Sequence, residues 1–203
     1  MLPIVEAMQK YSAEIKSVFC TPGHKQGIGA HNLLKNLVTA EGLREEVSLS
    51  EIENFIPLAE KLEAKVFGAD EIIFSVNGTT LAVQAMILST VKPGDLVLVA
   101  RNFHKSVMSG IILAGAIPIY LPVEFSQELK IPLNLSSETV ELAIKKFPTA
   151  RALIMTTPNY YGVAADIKKI SELVHEKNIF LLVDEAHGAH LRIGSRYNRT
   201  VHA

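Results

Sequence analysis

Hydrophobic and polar positions alternate along the chain with two different periods. From residue 71 onwards, short apolar runs alternate with longer segments in which apolar residues have helical spacing. The runs predict strands at 71–76, 96–100, 117–121, 152–156 and 179–183, and the segments between them predict helices at 79–90, 104–114, 137–147 and 166–177. Such alternation is typical of βαβ units. The pattern therefore predicts an α/β fold with three layers, in which helices cover both faces of a mostly parallel sheet.

The first third of the chain is patterned differently. Helical spacing predicts a helical arm within residues 1–20 and a further helix at 57–67. Between them, the prolines and glycines of residues 19–29 interrupt any regular element and predict a loop. No repeat or interdomain linker is visible, so one domain is expected from 203 residues of which 48% are hydrophobic.

Composition narrows the classes of function. The chain has 20 basic and 21 acidic residues, so it lacks the basic excess typical of proteins that bind nucleic acid. Its single cysteine, Cys20, favours a cytoplasmic protein without disulfides. No apolar run approaches the ~20 residues of a membrane span, and no membrane contact is expected. These observations favour chemistry on a small molecule.

Candidate functional residues follow the predicted strands, because open α/β sheets bind ligands at the carboxyl ends of their strands. Gly78, Thr79 and Thr80 open a helix after the first run, His104 follows the second, and Asp184 ends the fifth. Threonines also cap helices, and a single histidine often has only a structural hydrogen bond. Asp184 is harder to explain structurally, because an acid after four apolar residues is costly to bury without a partner.

The segment LLVDEAHGAH at 181–190, with its two acids and two histidines, is compatible with more than one function. A DEAH-box nucleotide hydrolase needs a phosphate-binding G-x-x-x-x-G-K-[ST] loop, which the sequence lacks. A metal site could use His187 and His190 with Asp184 or Glu185, but no matching third ligand is evident, so no metal is predicted. A nicotinamide cofactor is disfavoured because 27-GIG-29 does not follow a strand.

A flat phosphorylated cofactor fits all of these strand ends together. Pyridoxal phosphate needs donors for its phosphate, a stacking partner for its ring and a carboxylate beside its ring nitrogen, whose protonation makes the ring an electron sink. In this hypothesis Thr79, Thr80 and the Gly78 amide bind the phosphate, His104 stacks on the ring, and Asp184 pairs with the ring nitrogen.

The same segments carry a family resemblance. The strings TPGHKQG at 21–27, NGTT at 77–80, PGDLVLVARNFHKS at 93–106, GIILAGAIPIYL at 110–121, TTPNYYGV at 156–163 and LVDEAHGAH at 182–190 resemble the ornithine/lysine/arginine decarboxylases of the short bacterial type. The resemblance implies part of the large domain of a fold type I pyridoxal-phosphate-dependent transferase, over residues 21–190. It implies the same roles for His104 and Asp184, a cofactor contact at Thr157, Ala186 on the opposite ring face, and His187 near the Schiff base.

The resemblance also implies an activity and partners. Such enzymes release CO₂ from a basic amino acid, namely lysine, arginine or ornithine, and leave a polyamine or its precursor. They form homodimers or higher oligomers. Another fold type I lyase or aminotransferase is an alternative, because enzymes that share a fold can catalyse different reactions.

The end of the chain departs from this family. No lysine follows Lys177, and residues 191–203 form a divergent tail without the expected continuation. The lysine that forms the internal aldimine is therefore expected to be absent, through truncation or frameshift, or to come from a separate downstream polypeptide. Little activity is expected of the isolated chain, and a non-catalytic remnant that associates with other proteins is a further alternative.

Overall fold

The computed structural model describes residues 2–14, 39–40, 43–44 and 54–191. The chain divides into two compact units between Phe74 and Ser75, a division that the sequence did not indicate. The predicted loop at 19–29, the arm boundary at residue 20 and tail residues 192–203 lie outside the described residues.

The first unit contains two helices and a short hairpin. Its elements are helix α1 (Pro3–Glu14), strands β1 (Thr39–Ala40) and β2 (Leu43–Arg44), which pair antiparallel, and helix α2 (Ile56–Phe67). Helix α2 has Pro57 in its first turn, where a missing N–H costs no helical hydrogen bond. It ends at Gly68, which adopts a left-handed φ of 64° and donates its N–H to the Ala64 carbonyl. Both helices predicted in this region are confirmed.

The second unit is built on a parallel sheet of four strands. These are β3 (Leu96–Ala100), β4 (Ile117–Leu121), β7 (Ala152–Thr156) and β8 (Phe180–Asp184), in the order β4-β3-β7-β8. Between β4 and β7 lies a small antiparallel hairpin of strands β5 (Phe125–Ser126) and β6 (Ile131–Pro132). The last four predicted strands are confirmed, the final one beginning a residue later than predicted.

Helices connect and precede these strands. They are α3 (Gly78–Thr90), α4 (Lys105–Ala114), α5 (Ser137–Lys146) and α6 (Ile167–His175), followed by a 3₁₀ turn at Ala189–Leu191. Side chains cap three of them: His104 at α4, Ser136 at α5 and Asp166 at α6. All four predicted helices are confirmed to within two residues at each end.

The core has two parts, one on each face of the sheet. Side chains alternate across a strand, so Val97 and Val99 pack with α3 and α4, whereas Leu98 and Ala100 pack with α5 and α6. Strand β7 is buried along its whole length and divides its side chains between the two faces in the same way. This arrangement confirms the predicted three-layer α/β/α architecture.

The strand predicted at 71–76 is wrong. Residues 71–75 form no helix or strand, and Ile73 and Val76 are 84% and 90% exposed. Apolar, β-branched residues favour a strand only when a neighbouring strand supplies hydrogen bonds and packing, and no described strand pairs with this segment.

Every helix in the described part of the chain is too short or too polar to span a bilayer.

Strand order creates a crevice at one edge of the sheet. From β3 the chain continues to β4 on one side, whereas β7 lies on the other side of β3 and leads outward to β8. Where successive connections diverge in this way, the loops after neighbouring strands separate and leave a crevice at the carboxyl ends of the strands.

Candidate active site

A cavity of about 240 Å³ lies at the carboxyl ends of strands β3, β7 and β8. It is lined by Thr79, Thr80, His104, Ser106, Thr156, Asp184, Ala186 and His187. These residues come from the first turns of α3 and α4, the last residues of β7 and β8, and the turn after β8. The divergence of the connections therefore brings distant polar residues together.

The N-terminus of α3 forms one wall of the cavity. Gly78 adopts a φ of 72°, a conformation that favours glycine, and Thr79 and Thr80 follow in the first turn. Asn77, at the N-cap position, makes no capping hydrogen bond with its side chain. First-turn N–H groups of a helix have no partner within the helix, so this turn offers amide and hydroxyl donors to an anion.

His104 and Ser106 form a second wall, at the start of α4. The His104 Nδ1 accepts a hydrogen bond from the Ser106 N–H at 3.2 Å and lies 2.9 Å from the Ser106 Oγ. Ser106 is 1% exposed, whereas His104 is exposed. The imidazole is thus anchored through Nδ1, whereas Nε2 makes no hydrogen bond with any described residue.

Asp184 and Thr156 lie at the base of the cavity, as partners in the register of β8 and β7. Asp184 is 4% exposed, and its Oδ1 accepts the Ala186 N–H at 3.1 Å. Within the part of the chain that the structure describes, no cationic side chain pairs with this carboxylate. The Thr156 hydroxyl is buried without a hydrogen-bond partner among those residues. Both groups can therefore form polar interactions beyond those that the described residues provide.

The turn after β8 carries Ala186 and His187 to the cavity. The His187 ring makes an edge-to-face contact with Tyr160, with centroids 5.9 Å apart. Tyr160 is 81% exposed and follows the Thr157–Pro158 peptide, which is cis. An exposed aromatic pair therefore flanks the cavity on the side of the loop after β7.

Comparison with known proteins identifies the family. The family described as Orn/Lys/Arg decarboxylase, major domain, matches residues 2–202. The chain belongs to this family. It is 37% identical over 198 residues to an arginine decarboxylase of Bacillus subtilis, covering 93% of this chain and 40% of that enzyme. The chain thus spans about two fifths of the length of this decarboxylase.

Solved structures of the family have the same architecture. The lysine decarboxylase LdcF of Francisella novicida matches with a TM-score of 0.74 and 25% identity, covering 97% of this chain and 30% of that one. Lysine decarboxylase A of Pseudomonas aeruginosa matches with a TM-score of 0.67 and 29% identity, covering 90% and 28%. These neighbours confirm the predicted fold, that of the fold type I pyridoxal-phosphate enzymes.

The structure brings together most of the residues singled out in the sequence. Six of them line the cavity of this decarboxylase-family chain: Thr79, Thr80, His104, Asp184, Ala186 and His187. Gly78 begins the helix that carries the two threonines. Among the described residues, no cluster of three His, Cys, Asp or Glu side chains could hold a metal ion, and the side chain of His190 lies outside them.

Thr157 is placed differently from the prediction. It is absent from the cavity lining, and its hydroxyl accepts the Ala165 N–H at 2.9 Å. Its own N–H donates to the Asp184 carbonyl at 3.1 Å. Thr157 therefore joins the loop after β7 to its surroundings, and Thr156 occupies the lining instead, because neighbouring residues at a strand end point in opposite directions.

Two lining residues, Thr156 and Ser106, are not among those predicted from the sequence. Thr156 is the first residue of the TTPNYYGV segment, and Ser106 ends the ARNFHKS segment, so both lay within strings already singled out. Strand alternation, with β7 buried throughout, could have indicated which threonine faces the cavity.

The residues present fit a flat ligand that carries a phosphate group and a protonated ring nitrogen. Donors at a helix N-terminus suit a phosphate, and an anchored imidazole suits a ring face. A buried carboxylate that has no cationic partner among the described residues suits a protonated ring nitrogen. The Thr156 hydroxyl, which has no hydrogen-bond partner among those residues, adds a group that an oxygen or nitrogen of such a ligand could satisfy.

Proposed function

We propose that the cavity binds pyridoxal phosphate and serves the decarboxylation of a basic amino acid, namely lysine, arginine or ornithine, to a polyamine or its precursor. The observation that carries the proposal is the buried Asp184 carboxylate at the base of the cavity, without a cationic partner among the described residues. Relatives named arginine decarboxylase and lysine decarboxylase support the choice of reaction.

Each residue of the lining has a separate task in this proposal. Thr79 and Thr80, with the Gly78 amide, bind the phosphate at the N-terminus of α3. Asp184 holds a proton on the ring nitrogen, because the charged pair offsets the cost of burying the carboxylate. His104 covers one ring face, and the small Ala186 side chain allows close approach at the other.

The bound cofactor supplies a ring that withdraws the electron pair left on Cα when CO₂ departs. The protein orients the substrate so that the bond to the carboxylate is the one that breaks. His187 lines the cavity beside the exposed Tyr160, where it could hold or move a proton near the reacting atoms.

The isolated chain is proposed to bind the cofactor without covalent attachment. No lysine is among the residues that the structure shows lining the cavity. A lysine amine normally forms the covalent link to such a cofactor, so a cavity without a lysine would be expected to release product slowly. The 203-residue polypeptide alone is therefore expected to show negligible release of CO₂ from lysine, arginine or ornithine.

Three ligands separate the contributions to binding. Fluorescence or absorbance titration of the purified chain should show saturable binding of pyridoxal phosphate and similar binding of pyridoxine phosphate, which lacks the aldehyde. Pyridoxal, which lacks the phosphate, should bind much more weakly. The absence of saturable binding of either phosphate would contradict the proposal and favour a non-catalytic chain that associates with other proteins.

Borohydride reduction tests the covalent part. After reduction in the presence of pyridoxal phosphate, the intact mass should remain that of the unmodified chain. Stoichiometric labelling of one lysine would instead show that an amine of this chain reaches the cofactor. A parallel assay of CO₂ release would then show whether that amine supports turnover.

A homodimer or higher oligomer is proposed on the family resemblance alone. Sedimentation of the purified chain, over a range of concentrations, would show whether it associates.

A further inference from the structure

Two groups of Ser106, its backbone N–H and its hydroxyl, lie within hydrogen-bond distance of one nitrogen of His104. The Ser106 N–H donates to His104 Nδ1 at 3.2 Å, and the Ser106 Oγ lies 2.9 Å from the same atom. Ser106 is two residues beyond His104, so the imidazole takes the position of an N-cap side chain, which is more often Ser, Thr, Asp or Asn. The cap of α4 is therefore also a side chain of the cavity lining.

This arrangement determines where the imidazole proton lies. A backbone N–H can only donate, so Nδ1 presents its lone pair for as long as this hydrogen bond is made, and a neutral imidazole then carries its proton on Nε2. The Ser106 hydroxyl can also donate to Nδ1 and reinforce the same state. An imidazolium has no lone pair on Nδ1 and could not accept the Ser106 N–H.

The hydroxyl restricts the ring in addition to the backbone. The χ2 angle of histidine is broad, and His104 is exposed, so a single hydrogen bond leaves the ring considerable freedom. Ser106 is buried, so packing limits the movement of its hydroxyl, which can serve as a second donor to Nδ1. We infer that Ser106 is a positioning residue, whose hydroxyl holds the His104 ring in the Nε2–H state and in the orientation that faces the cavity.

The role toward the cofactor rests on the proposed function, whereas the state of the ring does not. If His104 covers one face of the cofactor, a ring with restricted rotation loses less freedom on binding. Loss of the hydroxyl should therefore weaken cofactor binding without removing any direct contact with the cofactor.

Nitrogen NMR of the full chain, without cofactor, tests the state of the ring. At neutral pH and above, the His104 imidazole should show the Nε2–H tautomer, and a scalar coupling should be detectable between the Ser106 amide nitrogen and Nδ1. The His104→Gln variant assigns the signal by its disappearance. An Nδ1–H tautomer or an averaged mixture in the unmodified chain would overturn the inference.

Substitution of Ser106 tests the positioning role. Ser106→Ala keeps the backbone donor but removes the hydroxyl, so the His104 tautomers should begin to average and the dissociation constant for pyridoxal phosphate should rise roughly three- to tenfold, the loss expected of one hydrogen bond. Ser106→Thr keeps a hydroxyl and should restore both properties. Unchanged tautomers and affinity in Ser106→Ala would overturn the inference.

A matched control is available on α6. Ser171 Oγ lies 3.2 Å from His175 Nδ1 on an exposed helix face that does not contribute to the cavity. Ser171→Ala should alter only the His175 signals and leave pyridoxal phosphate affinity unchanged; a loss of affinity equal to that of Ser106→Ala would overturn the inference. Circular dichroism checks that each variant folds. If Ser106→Ala does not fold, the scalar coupling measured in the unmodified chain still tests the state of the His104 ring.

The two hypotheses fail in different ways. Suppose that the chain shows the Nε2–H tautomer of His104 and the scalar coupling to the Ser106 amide but binds no pyridoxal phosphate. That result would contradict the proposed function and still support the positioning of the His104 ring by Ser106. A chain that binds pyridoxal phosphate with a freely averaging His104 ring would contradict only the positioning role.

Discussion

Gly188 lies directly against Pro158, so that a Cβ atom on Gly188 would be 2.5 Å from the Pro158 Cδ. The same Cβ would be 3.3 Å from the Glu185 Cγ, within the turn that follows β8. The Gly188 N–H donates to the Glu185 carbonyl at 2.8 Å and closes this turn. The turn that presents Ala186 and His187 to the cavity is thus packed against the loop after β7, with room only for glycine.

Gly188→Ala should destabilise the protein and disturb the cavity. The added methyl overlaps a proline ring that has little freedom to move, and overpacking of this kind costs about 1–3 kcal/mol. Relief requires a shift of the turn, so pyridoxal phosphate affinity should fall as well. Urea denaturation and cofactor titration measure the two effects.

Gly110→Ala is the matched control for this overlap. Its Cβ would be 2.8 Å from the Ile87 Cδ1, the flexible end of a side chain in the core between α3 and α4. It should also lower the free energy of unfolding but leave the dissociation constant of the cofactor unchanged. Equal losses of affinity in the two variants would show that global destabilisation, and not the turn, is responsible.

Asp184→Asn should separate charge from shape. The asparagine oxygen can still accept the Ala186 N–H, but the charge that would hold a protonated ring nitrogen is lost. Hydrogen bonds to charged groups contribute about 1.5–3 kcal/mol, so pyridoxal phosphate affinity should fall roughly tenfold to a hundredfold. Glu185→Gln makes the same change of charge on the exposed neighbour and should have no such effect. Similar losses in both variants would contradict a role specific to Asp184.

Thr156→Val and Thr157→Val should have opposite effects on stability. Thr156→Val removes a buried hydroxyl without a partner among the described residues, so the cofactor-free protein should gain stability of about 1 kcal/mol, while cofactor affinity falls if that hydroxyl contacts the ligand. Thr157→Val leaves the Ala165 N–H without its acceptor and should cost about 1–3 kcal/mol.

Cofactor titration of the same pair identifies which threonine contacts the ligand. Thr157→Val should retain the affinity of the unmodified chain, since its hydroxyl is engaged outside the cavity. The reverse result, in which only Thr157→Val weakens binding, would show that Thr157 rather than Thr156 is the cofactor contact.

Glu138 should make stability depend on pH. Its own backbone N–H at the N-terminus of α5, the Lys169 ammonium at 3.1 Å and the Ser137 hydroxyl hold the pKa of this carboxyl below its usual value. A lowered carboxyl pKa stabilises the fold above the usual pKa, and this contribution is lost as the pH falls through the lowered one. The melting temperature of Glu138→Gln should therefore be lower than that of the unmodified chain at neutral pH and converge with it in acid.

High salt and a second exposed glutamate, Glu172, provide two controls for this experiment. The Glu138 side chain is largely exposed, so its effect should be small and should shrink at high ionic strength. Glu172→Gln, on the exposed side of α6, should not reproduce the pH dependence. A difference that persists unchanged at acidic pH would show that the effect is not electrostatic.

The sequence predicted the elements of the sheet well because their signals are local. Strands at 96–100, 117–121 and 152–156 and the helices between them are set by apolar periodicity within each segment. The failure at 71–76 has a non-local cause, since a strand also requires a partner that no local window reveals. The two-residue strands Phe125–Ser126 and Ile131–Pro132 were missed because they are too short to show alternation.

Candidate site residues could be predicted where their position at the end of a strand was enough to place them at the cavity. Asp184 and His104 were found because strand ends of an α/β sheet face a common edge. Thr156 and Ser106 depend on the direction of a side chain, which changes from one residue to the next. The sequence TTP offered two threonines, and only the structure distinguishes the one in the cavity from the one bonded to Ala165.

The divergence of the connections beside β3 also has a kinetic consequence. Strand β3 pairs with β4 through a short connection, but its other neighbour, β7, follows only after β5, β6 and α5. Contacts between distant parts of a chain form slowly, because a long loop must close before they contribute free energy. The cavity therefore cannot be complete until β8 and its turn have docked, and a ligand that binds only the completed cavity shifts the folding equilibrium by mass action. Refolding followed by recovery of cofactor binding should thus be slower than the gain of helical signal.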